Sequence, residues 1–152
     1  MRKLVTPEEV YDDLVTKGLY EEAHLDKDEV QKVLEMTAED FEFAKRMKAE
    51  KNPSWRIIFN AYYDIFRELC DQLMHFKQQK TSNHQGLFAY IVLNFKDFGL
   101  DWELLERIRT TRNQNKYQGA NISEQMWKSV ELQFELYISL LFKEVKERLK
   151  KC

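Results

Sequence analysis

The stretch from Pro53 to about Gln79 constrains this chain more than any other feature. Its residues Trp55, Phe59, Tyr62, Phe66, Leu69, Leu73 and Phe76 recur at alternating spacings of four and three. In a helix of 3.6 residues per turn those offsets fall on one face, whereas in a strand they would scatter to both sides. At 1.5 Å per residue the segment predicts a rod roughly 40 Å long. One apolar face on a rod of that length is stable only when other helices cover it.

The remaining sequence supplies those helices, with its few glycines and prolines at the joints. Thr6-Pro7-Glu8-Glu9 reads as an N-cap followed by proline at the first helical position, and Gly18 ends that short helix. Gly18 to Leu25 reads as a connector. Asp26 caps a long helix whose inner face is Val30, Val33, Leu34, Thr37, Phe41, Ala44 and Met47, closed by Asn52-Pro53. After the loop Lys80–Asn83, the spacing of Ser82 and Gln85 suits a capping box for a helix presenting Leu87, Phe88, Ile91 and Phe95. Gly99 stops it, and Asp101 caps another with Leu104, Leu105 and Ile108 inward. Gly119 and Asn121 break the chain before a last helix, about Ile122 to Lys150, that buries Trp127, Val130, Phe134, Tyr137, Ile138, Leu141 and Val145.

No alternating strand and no internal repeat is present, and four Gly and two Pro are too few for a turn-rich all-β protein. The predicted fold is an all-α, antiparallel up-and-down bundle of four to five main helices with a short N-terminal helix. It divides into an acidic N-terminal segment, residues 1–25, and a bundle, residues 26–152. The first 50 residues carry eight Lys/Arg against fourteen Asp/Glu, and the remainder carries sixteen against twelve. A mildly basic second part can face an anionic partner, and a solvated surface explains it equally well. Without a leader-like segment or a long uncharged apolar run, the expected setting is cytoplasmic and off the membrane.

Little of the usual catalytic apparatus is present. His24, His75 and His84 stand on three elements without a helical partner, and Cys70 and Cys152 cannot make a four-ligand zinc site, so neither metal nor cofactor is expected. Cys70, beside Leu69, reads as a buried thiol. Tyr62, Tyr63 and Phe66 could form a platform for bases, but their helical spacing reads as core.

The run Arg107 to Gly119, RIRTTRNQNKYQG, is different. Arg109, Arg112 and Lys116 are spaced by three and four, which predicts one cationic stripe at the end of a helix. Arg112 also continues the apolar line Leu105–Ile108, so its guanidinium points towards a bundle edge or a partner subunit. Cations in a last turn also complement the helix dipole, so the pattern leaves an anion site and a helix terminus both open.

Three segments make the chain from about Asp28 onward resemble a HEPN domain, the helical family of higher eukaryote and prokaryote nucleotide-binding proteins. Ala61-Tyr62-Tyr63-Asp64-Ile65-Phe66 resembles the family's Ala-Tyr-Tyr-x-x-Phe stretch. Ser82-Asn83-His84-Gln85-Gly86-Leu87 resembles its Ser/His loop with one extra residue. Arg112-Asn113, three residues and Tyr117 resemble its motif of arginine, a polar residue and, a few positions on, histidine. The resemblance implies a homodimer with the two motif helix ends facing each other. It further implies RNA or nucleotide binding by Arg109, Arg112 and Lys116, beside a nucleotidyltransferase partner in a toxin–antitoxin-like module. Metal-independent endoribonuclease activity through Arg112, Asn113 and Tyr117 is the enzyme alternative, and a non-catalytic helical adaptor is another. Tyrosine stands at 117 where the motif has histidine. An unperturbed phenol near pKa 10 is only ~0.1 per cent ionised at pH 7, so binding tolerates this change better than proton transfer does.

Overall fold

The computed structural model describes residues 4–151, and Cys152 lies outside them. Six α-helices form an all-α bundle among these residues: α1 (Pro7–Lys17), α2 (Lys27–Met47), α3 (Trp55–Phe76), α4 (His84–Asn94), α5 (Trp102–Tyr117) and α6 (Glu124–Lys151). A two-residue antiparallel ladder, β1 (Glu21–Glu22) with β2 (Gln79–Lys80), and a 3-10 turn, Lys96–Phe98, complete it.

Helix α3 is the axis of the bundle, packed by α2, α4, α5 and α6. Burial extends beyond the expected stripe to Ile58, Tyr63, Ile65, Cys70, Gln72 and Met74, because neighbours cover several of its faces. It is also shorter than expected at both ends. Ser54, not Pro53, marks the start, accepting a hydrogen bond from the Ile57 amide, and Gln78 adopts a positive φ beyond the end. The 22 residues span roughly 33 Å. Trp127 of α6 is fully buried, meeting Tyr62 edge-to-face at 4.7 Å between ring centroids. Aromatic pairs of this kind add about 0.5–1.5 kcal/mol beyond their burial.

Thr6, Asp26 and Asp101 cap as their sequence positions predict. Ser82 does not cap α4. Asn83 does, because its side-chain oxygen reaches the Gly86 amide at 2.8 Å. Helix α6 begins at Glu124, with Ile122 buried just before it. The connector after Gly18 contains β1, which ties the N-terminal segment to the chain after α3.

The N-terminal segment packs against the bundle. Val10 and Leu14 of α1 are buried against Ala89 of α4, and the Tyr20 hydroxyl donates to the Gly86 carbonyl at 2.8 Å. Gly86 permits this approach, since a Cβ there would stand 1.9 Å from Leu14 Cδ2. The docking of α1 and the β1–β2 ladder therefore brace the start of α4 at residues 83–86. No helix is long and apolar enough to cross a membrane among the described residues.

Candidate functional site

Arg112 lies on α5 one turn beyond Ile108, so the helical period that buries Leu105 and Ile108 also turns Arg112 inward. It is only 8 per cent exposed. Its guanidinium lies over the Tyr63 ring, 5.2 Å from the centroid, and Nη2 donates to Asp64 Oδ1 at 3.0 Å. The Nε–H is buried without a partner. An orphaned buried donor costs about 1–3 kcal/mol, more for a charged group, so the position is maintained at a cost to the fold.

Tyr63 carries the site to a second helix. The ring is fully buried and its hydroxyl shares a 3.1 Å hydrogen bond with His84 Nδ1 at the first turn of α4. Burial pushes the phenol well above its usual pKa, with Arg109, Arg112 and Arg67 pulling the other way, so it remains protonated near neutrality. With the phenol donating, Nδ1 accepts and Nε2 keeps the proton of the neutral ring. His84 is itself held below the usual histidine range, first by burial and then by the positive charges of Arg67 and Arg112. Asp64 opposes that shift.

The cationic stripe is not presented as the spacing predicts. Glu106 neutralises Arg109, accepting from Nε at 3.0 Å and Nη2 at 3.1 Å. The same carboxylate accepts from Gln85 Nε2 at 2.9 Å, which locks α5 to the start of α4. Arg112 is buried, because seven residues beyond Leu105 a helix falls only ~20° short of two full turns, so the core face runs on past Ile108. Lys116 alone of the three is exposed. Asn113 is half-buried, and Tyr117, at 76 per cent, is the most exposed of the large apolar and aromatic side chains among the described residues.

Asn115, two residues beyond Asn113, makes the amide contact that sequence reasoning missed. It exchanges two 3.0 Å hydrogen bonds with Asn60 of α3, fixing the end of α5 against the axis helix. Asp64 and His84 were also missed as site residues. Each lies inside a segment that the family resemblance singles out, but nothing in a one-dimensional pattern says that those segments meet.

The remaining two histidines lie away from this site, and Cys70 is buried as its place beside Leu69 predicts. His24 is exposed, and the His75 ring stays on its own helix, with Nδ1 2.6 Å from the Asp71 carbonyl oxygen. Cys70 is fully buried and burial raises its thiol pKa, which leaves it unreactive. Tyr62, Tyr63 and Phe66 are fully buried, as their spacing predicts. No group of three or more His, Cys, Asp or Glu side chains suited to a metal ion occurs among the described residues.

No family model matches the chain, and no curated protein or solved structure matches it either.

Proposed function

We propose that this chain is a HEPN-like RNA- or nucleotide-binding protein that works as a homodimer beside a nucleotidyltransferase in a toxin–antitoxin-like module. The observation that carries the reading is Arg112: a guanidinium nine-tenths buried, stacked on Tyr63 and left with an unpaired Nε–H. Asp64 is 51 per cent exposed at its side chain, so it is a weak and displaceable counter-ion. An anion with two oxygens can take its place on Nη2 and, with a small outward turn of the guanidinium, pair Nε as well, a fit that phosphate makes well. Support also comes from the meeting of Tyr63–Asp64, His84 and Arg112, one from each of the three resembling segments. Lys116 and Tyr117 are exposed in the last turn of the same helix, where a phosphodiester backbone or a partner enzyme can reach them.

The test is binding of a labelled oligoribonucleotide and of AMP, with Arg112→Ala and a salt titration. The reading expects binding that weakens at least tenfold in Arg112→Ala and falls with salt as phosphate contacts release counter-ions. Binding indifferent to both would leave the helical adaptor as the better reading. A ~37 kDa species by light scattering, twice the 18.4 kDa chain, is the expected solution state, and a strict monomer at micromolar concentration would count against the homodimer.

A further inference from the structure

We propose that His84 is the second half of the Arg112 site and makes it a proton-linked phosphate site, in which the bound phosphoryl group bridges the guanidinium and the imidazole. This rests on the reading of Arg112 as an anion-binding residue and adds a residue that lies outside the Arg112–Tyr117 run.

Two independent features lie on either side of Tyr63. One is the N-terminus of α4, an 11-residue helix with His84 at its first position. Asn83 caps the Gly86 amide and its carbonyl takes the Leu87 amide, so the amides of His84 and Gln85 remain for an outside acceptor. The other is the unpaired, buried Nε–H of Arg112. Tyr63 links them, because Arg112 lies on its ring while His84 holds its hydroxyl.

The charges around His84 set the direction of the linkage. Arg67 and Asp64 face it from α3, and Arg109 and Arg112 from α5, while Glu106 is already committed to Arg109 and Gln85. In the free protein this balance favours the neutral ring. A phosphate seated between Arg112 and His84 reverses the local sign, favours the imidazolium and so takes up one proton on binding. Affinity therefore rises as pH falls through the range where His84 titrates. No bond to phosphorus forms or breaks in this step: a proton moves from solvent to the imidazole.

Inorganic phosphate and AMP share the recognised chemistry with an RNA backbone, and the test separates them. The probes are inorganic phosphate, AMP and a 2′-deoxy hexanucleotide, whose diesters do not titrate near neutrality, each measured at pH 5.5 and 7.5. The hexanucleotide is expected to bind about five- to tenfold more tightly at pH 5.5, and His84→Gln to reduce that ratio to less than twofold. In parallel, the His84 imidazole in the intact wild-type protein, followed by NMR, should titrate at higher pH with a saturating probe than without. His84 is exposed, so His84→Gln does not threaten the fold, and the NMR titration of the wild-type protein needs no variant at all.

If His84→Gln keeps the wild-type pH ratio, or the His84 titration does not move, the proton linkage is wrong while the Arg112 reading stands. If Arg112→Ala leaves hexanucleotide binding intact, the Arg112 reading itself is wrong. Response to AMP and inorganic phosphate but not to the hexanucleotide would assign the site to a free nucleotide; the reverse would assign it to a polynucleotide backbone.

Discussion

Two neighbouring tyrosines of α3, Tyr62 and Tyr63, are built into the same kind of arrangement with opposite outcomes. Both rings are fully buried, and both lie beneath a cation: Lys48 stands 5.7 Å from the Tyr62 centroid, and Arg112 stands 5.2 Å from that of Tyr63. Both hydroxyls are hydrogen-bonded to a titratable side chain on another helix. On the Tyr62 side every polar group has a partner. Lys48 donates to Glu131 and Glu135, Tyr62 donates to Glu135 at 2.7 Å, and the Trp127 indole donates to Glu131 at 3.1 Å. On the Tyr63 side a guanidinium keeps an unpaired N–H, its carboxylate partner is half in water, and an imidazole has its pKa lowered by burial and then by positive neighbours. A satisfied network joins α2, α3 and α6 and serves the fold. An unsatisfied one costs stability, and it is there that the proposed phosphate would bind.

The contrast has its largest expected effect in the removal of each cation. Lys48→Met leaves two part-buried carboxylates facing each other without their shared partner, and should lower stability in urea by about 2–3 kcal/mol. Arg112→Met removes a charge whose burial is poorly compensated and leaves only a half-exposed Asp64, so stability should change by less than about 1 kcal/mol. Equal losses in the two variants would end the distinction between the regions.

Acid should separate them next. Burial alone would raise the Glu131 carboxyl, but the hydrogen bonds from Lys48 and Trp127 hold it below its usual value. Its contribution is therefore complete above the unfolded carboxylate range, near ~4.3, and is lost as pH falls through the lower folded value. His84 is also depressed, so its contribution is present above ~6.5 and is lost as pH falls through its folded value. Denaturation midpoints should then show a loss that begins as pH falls below ~6.5 and disappears in His84→Gln, and a separate loss that begins below ~4.3 and shrinks in Glu131→Gln. Asp71, on α3, works in the other sense. Burial pushes its carboxyl up to about 6 against the pull of Arg67, so Asp71→Asn is the control that isolates the histidine.

The smallest effect distinguishes the hydroxyls. Tyr62→Phe removes a bond to a charged carboxylate and should cost about 1.5–3 kcal/mol at the upper bound, with a partly hydrated Glu135 reducing it towards 1. Tyr63→Phe removes only a bond to a neutral, exposed imidazole and should cost about 0.5 kcal/mol. Its clearer sign is a shift in the His84 NMR titration, and no shift there would detach Tyr63 from the histidine.

Much of this molecule is legible in its residues one at a time. The three-and-four spacing gave the helices, and side-chain caps at Thr6, Asp26 and Asp101 fixed three of their starts. The start of α4 is less legible because Ser82 and Asn83 are both good caps by propensity, and the sequence does not say that Gly86, whose amide Asn83 caps, also lies against Leu14 of α1. The end of α5 is similar. Arg112 is identifiable from its place in the helical period and in the resembling motif, whereas the engagement of Arg109 by Glu106 and of Asn115 by Asn60 depends on side-chain geometry.

By itself, then, the sequence determined the all-α class, the order of the helices, the burial of Tyr62 and Tyr63, and Arg112 as the residue around which a site would be sought. Tertiary structure alone decided that Tyr62 meets carboxylates while Tyr63 meets a histidine and an arginine. Periodicity acts over three or four residues. The bonds that separate the two sides join residues 73, 21 and 48 positions apart: Tyr62 to Glu135, Tyr63 to His84, and Asp64 to Arg112. Adjacent residues on a helix point about 100° apart, so two tyrosines that look alike in the chain face different helices once α3 is surrounded.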